Sequence, residues 1–128
     1  QRIDSERLVL LHRRKTGALL RFCVRLGGHL AEADAQAMAH LSVYADAVGL
    51  LFQVVDDLLD EEGAEGLGKT KGKDAACGKA TFPRLMGGRE AHDHADALLS
   101  EAMAALAAMG LADSRLATVA QFIRNRDT

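Results

Sequence analysis

Apolar and polar residues recur along this chain with the period of an α-helix, and sustained strand-like alternation is nearly absent. Long stretches are rich in Ala, Leu, Glu, Arg and Met, which are good helix formers. The pattern therefore predicts an all-α fold. We expect helices from about 5 to 26 with an end at Gly27-Gly28 and from 33 to 60 with an end near Gly63. A short turn of helix should follow Pro83, and further helices should cover 89–109 and 113–125.

One predicted helical segment, 52–60, carries polar residues within an otherwise apolar sequence. At about 100° per residue, four of its side chains fall within an arc of about 100°. We call this arc the acidic face: Gln53, Asp56, Asp57 and Asp60. Like charges one turn apart repel each other, so a hard divalent cation with oxygen ligands is a natural partner. A solvated polar face is the alternative, and for an isolated Asp-x-x-x-Asp pair it is the commoner one.

Acidic and basic residues form two consecutive blocks around this segment. Residues 56–65 hold six carboxylates and no cation, whereas the Gly-rich stretch 66–89 holds six Lys or Arg residues and one acid, Asp74. A site that binds a metal together with phosphate oxygens needs such an arrangement, with carboxylates for the metal and cations for the remaining charge.

Lys15 lies on the apolar side of the first predicted helix, within about 40° of residues such as Leu8 and Leu19. A lysine there either extends to the surface or meets an anion inside a cavity, because burying it unpaired is costly. Thr16 follows with a hydroxyl that can bind a phosphate oxygen, and Gly17 can relax the helix locally. Together with the acidic face, these residues indicate a cavity for a metal-bound diphosphate.

Composition narrows the class of protein. The 128 residues, 48% hydrophobic and 27% charged, fit one globular unit. A net charge of -2, 4% aromatic residues and no Trp argue against nucleic-acid binding.

The two cysteines, Cys23 and Cys77, do not suggest a disulfide framework, so a cytoplasmic location is expected. Cys23 is expected to lie in the core. The longest apolar run, 102–112, is too short to span a bilayer, so we expect no membrane insertion. The chain begins with Gln1 and a helical pattern starts almost at once, so we interpret it as a fragment.

Three motifs occur in one order: 12–20 (HRRKTGALL), 52–60 (FQxxDDxxD), and 68–83, in which a Gly-Lys pair leads through Asp74 to a GKxTxP run. In these motifs the chain resembles the C-terminal half of trans-prenyltransferases, the short-chain isoprenyl diphosphate synthases of the farnesyl and geranylgeranyl diphosphate synthase type. The resemblance implies an all-α, isoprenoid synthase-type helical bundle, of which residues 1–128 form the C-terminal portion of a single domain. It also implies a homodimer that uses Mg²⁺, for which Mn²⁺ can substitute.

The resemblance assigns metal-binding roles to four carboxylates. Asp56 would be a direct ligand and is counted among the catalytic residues. Asp57 and Asp60 would coordinate or act through water, and Asp74 would orient water around a metal.

The resemblance assigns contacts with the allylic diphosphate to five other residues. Lys15, Thr16 and Gln53 would contact the diphosphate or the polarised groups near its C1 carbon, and these three are also assigned catalytic roles. Lys69 and Lys79 would close over the diphosphate from the loop.

The implied reaction is condensation of dimethylallyl or geranyl diphosphate with isopentenyl diphosphate, through Mg²⁺-assisted ionisation, to farnesyl or a similar short-chain trans-polyprenyl diphosphate. The first aspartate-rich motif and the isopentenyl diphosphate site of that family have no counterpart here. We therefore expect this chain alone to be inactive and to expose apolar helix stripes.

A non-catalytic small subunit of a heteromeric prenyl synthase is the main alternative to this function. A structural helical protein and a terpene cyclase are weaker ones, and the Asn, Ser or Thr, and Glu metal motif usual in cyclases is absent.

Overall fold

The computed structural model describes residues 5–12, 16–66 and 80–126, and these ranges contain helices and no strand, as predicted. The helices are α1 (Ser5–His12), α2 (Ala18–Leu30), α3 (Ala35–Gly66), α4 (Phe82–Met86), α5 (Gly88–Ala107) and α6 (Arg115–Asn125). Two predicted helix starts are confirmed by their caps. Asp34 Oδ1 accepts a hydrogen bond from the Ala37 N–H at 2.8 Å, and Ser114 Oγ accepts one from the Ala117 N–H at 3.4 Å.

α3 is the central helix and contacts each of the other five. Its most deeply buried side chains include Tyr44, Leu51 and Val54, which pack in one core with Leu106 of α5 and Phe82 of α4. α5 presents small side chains to this core, so it can approach α3 closely. Those fully or nearly fully buried alanines are Ala91, Ala95, Ala102 and Ala105. The same helix also buries Leu98 and Leu106 in this core, so it is a packing surface.

Tyr44 ties the middle of α3 to the start of α6. Its hydroxyl donates a hydrogen bond to the Leu116 carbonyl oxygen at 2.8 Å. Burial raises the pKa of Tyr44 to about 12, because the phenolate would be poorly solvated there. The hydroxyl therefore remains a donor at neutral pH.

The predicted helix end at Gly27-Gly28 is wrong, because α2 continues through both glycines to Leu30. Gly28 is buried, and a Cβ atom there would lie 2.6 Å from Met38 Sδ and 2.7 Å from Leu41 Cδ1. The absence of a side chain at this position thus allows α2 and α3 to pack closely. A C-terminal cap and a close helix contact both favour glycine, and the sequence does not distinguish them.

α2 meets α3 partly through polar groups. Arg21 Nη1 lies 2.7 Å from Asp46 Oδ2, and Arg25 Nη1 donates to Ser42 Oγ at 2.8 Å. The apolar stripe of α2 is correspondingly open: Leu19, Phe22, Leu26 and Leu30 are 64%, 63%, 45% and 79% exposed. This confirms the expected exposure of apolar stripes. The prediction of a buried Cys23 is wrong, because that residue is also exposed.

By length and composition alone, α3 is apolar enough over 35–63 to cross a membrane. The greater part of its most apolar window is buried inside the fold, as in the core helix of many soluble proteins. The helix therefore gives only weak support to membrane insertion.

Candidate active site

The acidic face divides into a buried side and an open side. Gln53 and Asp57 are only 5% and 3% exposed, whereas the Asp56 side chain is 50% exposed and Asp60 lies at the surface. For Gln53 and Asp57, the alternative of a solvated polar face is wrong. A buried amide and a buried carboxylate need partners, and the structure supplies them from two other segments of the chain.

Gln53 joins the acidic face to the Lys-Thr-Gly run. Its Nε2 donates a hydrogen bond to Thr16 Oγ1 at 3.2 Å, across 37 residues of sequence. Because Thr16 Oγ1 accepts this bond, its own O–H proton remains available for a second acceptor. Two motifs that the sequence assigned to diphosphate binding are thus in direct contact.

The segment that carries Thr16 departs from regular α-helix. Thr16 and Gly17 form a π-helical turn immediately before α2. Such turns often occur at functional sites.

Two glycines set the separation between this turn and α3. Gly17 and Gly49 are both buried, and a Cβ atom on Gly49 would lie 2.9 Å from the Gly17 Cα atom. Gly49 is one helical turn before Gln53, so the backbone contact lies directly beside the hydrogen bond to Thr16. The contact brings the two polar side chains within reach of each other.

Gly49→Ala is expected to lower the free energy of unfolding by about 1–3 kcal/mol, because the added methyl group overlaps a backbone atom that cannot rotate away. Gly27→Ala is the matched control, since an added Cβ at that exposed helical position meets nothing within 4 Å. It is expected to raise stability by about 0.5–1 kcal/mol through helix propensity. Thermal unfolding of both variants of the intact protein, followed by circular dichroism, measures the difference. Equal or greater stability of Gly49→Ala contradicts the proposed close contact.

Asp57 supports the start of α4. Its Oδ2 accepts a hydrogen bond from the buried Phe82 N–H at 3.1 Å. Thr81, at the N-cap position, makes no side-chain capping bond to α4, so Asp57 performs that function from a neighbouring helix. This carboxylate therefore has a structural role in addition to any role toward a metal.

Asp56 has a partner that the sequence did not indicate. Arg126, the residue directly after α6, places Nη2 3.2 Å from Asp56 Oδ1. The two residues are 70 positions apart in the chain. No motif or helical spacing connects them, so the ion pair becomes visible only in the fold.

Asp56 and Asp60 stand one turn apart on the open side of α3 and offer hard carboxylate oxygens. Among the residues with described positions, no three His, Cys, Asp or Glu side chains converge to hold a metal by themselves. Mg²⁺ commonly binds one or two carboxylates and completes its shell with water and phosphate oxygens. The donor set of α3 fits a metal held in this way.

Four predicted site residues lie outside the described ranges: Lys15, Lys69, Asp74 and Lys79. The structure therefore brings together Thr16 and Gln53, and it places Asp56, Asp57 and Asp60 on one helix.

Comparison with known proteins defines the class that the fold and site represent. The profile of the polyprenyl synthetase family matches residues 1–115, and this chain belongs to that family. The chain is 42% identical over 127 residues to a dimethylallyltranstransferase from Fischerella ambigua, covering 98% of the chain and 37% of the relative. It is 39% identical over 130 residues to the farnesyl diphosphate synthase of Escherichia coli, covering 98% of the chain and 44% of that enzyme.

A solved structure gives the same result for the fold. The crystal structure of a candidate farnesyl-diphosphate synthase from Marinomonas sp. MED121 matches 98% of the chain with a TM-score of 0.79 and 30% sequence identity, over 42% of its own length. The predicted isoprenoid synthase-type fold is therefore confirmed. The chain spans less than half the length of these relatives.

Proposed function

We propose that this chain forms part of a prenyltransferase that condenses an allylic diphosphate with isopentenyl diphosphate. The observation that carries the proposal is the contact between Gln53 and Thr16, which joins the Asp-rich helix to the Lys-Thr-Gly run. Membership of the polyprenyl synthetase family and the names of the relatives support the same reaction class.

In this proposal, Thr16 and Gln53 provide oriented polar groups for the allylic diphosphate. The Gln53 amide fixes the Thr16 hydroxyl, whose proton then points to a diphosphate oxygen. Because both groups are already held in place, they stabilise developing negative charge without reorganisation during the reaction. Lys15, Lys69 and Lys79 are proposed to bind the remaining anionic charge.

Mg²⁺, or Mn²⁺ in its place, would neutralise the departing diphosphate and so assist cleavage of the allylic C–O bond. Asp56 and Asp60 would hold the metal from the open side of α3. Asp57 already accepts a hydrogen bond from the Phe82 N–H, so we assign it an indirect role through water, as for Asp74. The apolar side chains around this helix would exclude water from the reacting carbon.

The finer features of the proposal concern product and assembly. We propose dimethylallyl or geranyl diphosphate as the allylic substrate and farnesyl or a similar short-chain trans-polyprenyl diphosphate as the product. A homodimeric, cytoplasmic enzyme is proposed as its form.

The test is turnover by the intact protein with geranyl and isopentenyl diphosphates, with products identified by mass spectrometry, in Mg²⁺ and after chelation. We expect a product longer by one five-carbon unit, and loss of activity with chelator. Gln53→Leu removes the hydrogen bond to Thr16 and should raise KM for the allylic diphosphate about tenfold.

Absence of any condensation product contradicts the proposal. If diphosphates then bind without turnover, the alternative of a non-catalytic subunit gains support. An unchanged KM in Gln53→Leu removes the role assigned to the Gln53 and Thr16 pair.

A further inference from the structure

Arg126 is fixed against α3 by three contacts. Its Nη2 lies 3.2 Å from Asp56 Oδ1 and 3.3 Å from the Phe52 carbonyl oxygen, and its guanidinium carbon stands 4.3 Å from the centroid of the Phe52 ring. The side chain is only 14% exposed. Phe52 and Asp56 are one helical turn apart, so the guanidinium spans a full turn of the helix that carries the proposed metal ligands.

These contacts distinguish the pair from an ordinary surface ion pair. Exposed ion pairs usually contribute little, because two long side chains lose freedom to form them. The aromatic ring and the carbonyl oxygen already hold Arg126, so Asp56 meets a cation of fixed position. The ion pair between Arg124 and Asp96 is more typical of a surface. Arg124 Nε lies 2.6 Å from Asp96 Oδ1, but Asp96 is 62% exposed and belongs to α5 rather than α3.

The contact uses one oxygen of Asp56. Arg126 reaches Oδ1, and Oδ2 makes no hydrogen bond to any group of known position in the chain. A bidentate arginine would occupy both oxygens of the carboxylate. The contact thus restrains the carboxylate through Oδ1 and leaves Oδ2 without a hydrogen-bond partner among the described residues.

We propose that Arg126 is a positioning residue for Asp56, holding Oδ1 so that Oδ2 is presented to the metal. The inference rests on the proposed function, in which Asp56 is a metal ligand. The fixed positive charge has two opposite effects. It weakens the attraction of Asp56 for a free divalent cation, and it fixes the carboxylate orientation that turnover requires.

Three variants of the intact enzyme test the proposal: Arg126→Gln, Arg126→Lys and, as the matched control, Arg124→Gln. Mn²⁺ binding without substrate is measured by electron paramagnetic resonance, and kcat is measured with saturating Mg²⁺. For Arg126→Gln we expect the Kd for Mn²⁺ to fall about threefold to tenfold with the loss of the neighbouring charge. We expect kcat to fall about 10-fold to 100-fold, as for other groups that orient metal ligands.

Arg126→Lys keeps the charge but loses the planar contact with Phe52, so Mn²⁺ affinity should remain at the wild-type value while kcat still falls. Arg124→Gln should change neither quantity. The opposite changes in Mn²⁺ affinity and kcat are the signature of positioning, because a purely structural defect would not tighten metal binding.

The proposal is overturned if Arg126→Gln leaves the Kd for Mn²⁺ or kcat unchanged, or if it behaves like Arg124→Gln. If Arg126→Gln does not fold, Arg126→Lys and Phe52→Leu carry the test, and wild-type kcat in both overturns it. Asp56→Asn separates this failure from failure of the proposed function: unaltered Mn²⁺ binding and turnover in that variant would refute the metal role of Asp56 itself.

Discussion

Asp56→Ala in the intact protein is expected to lower kcat by about three orders of magnitude, because a metal ligand contributes several kcal/mol to the transition state. The same change should lower the free energy of unfolding by only about 1 kcal/mol or less. The Asp56 side chain is half exposed, and Arg126 would keep its contacts with the Phe52 ring and carbonyl oxygen without the carboxylate. Steady-state kinetics with Mg²⁺ and thermal unfolding measure the two quantities.

Glu62→Ala is a suitable control for this prediction. Glu62 is an exposed acid on the same helix, paired with His92 at 3.2 Å, and removing it should leave kcat near the wild-type value. Near-normal turnover of Asp56→Ala in saturating Mg²⁺ would contradict the assignment of Asp56 as a metal ligand. A loss of stability as large as the loss of activity would indicate a structural role instead.

Asp57→Ala should also lower stability, which distinguishes it from Asp56→Ala. The buried Phe82 N–H would lose its acceptor, which costs about 1–3 kcal/mol of unfolding free energy. Circular dichroism during thermal unfolding measures this loss. Asp56 and Asp57 are neighbours in sequence, yet only the Asp57 variant is expected to lose appreciable stability.

Asp57→Asn separates the two contributions of this side chain. The asparagine keeps a carbonyl oxygen for the Phe82 N–H, so most of the stability should return. It loses the negative charge, so kcat should fall about 10-fold to 100-fold if the carboxylate orients metal-bound water. Full stability in Asp57→Ala would show that the hydrogen bond to Phe82 contributes little to the free energy of unfolding.

The helices could be predicted from the sequence because they depend on local propensity and on the period of apolar residues. Asp34 and Ser114 also mark the starts of their helices, because an N-cap side chain accepts a hydrogen bond from an N–H only three residues later. The error at Gly27-Gly28 has a different origin. Gly28 is needed because Met38 and Leu41, which lie on another helix, approach it too closely for a side chain.

The candidate site could be predicted in its residue types but only partly in its geometry. Helical spacing places Gln53 and Asp56 on one arc of α3, but it cannot show which part of the arc faces the core. The division of the acidic face into a buried side and an open side depends on residues that are distant in sequence. Thr16 lies beside Gln53, and Phe82 lies beside Asp57. Arg126 could not be found at all, because its partner lies 70 residues away.

The close approach of Gly17 and Gly49 also limits how this protein can be redesigned. Gly49 cannot gain a side chain unless its backbone moves away from Gly17, and that separation would carry Thr16 away from Gln53. Substitutions at the two positions are therefore coupled, and their effects will not add. Mutant libraries that aim to alter substrate choice near α3 should keep both glycines fixed and vary the side chains around them.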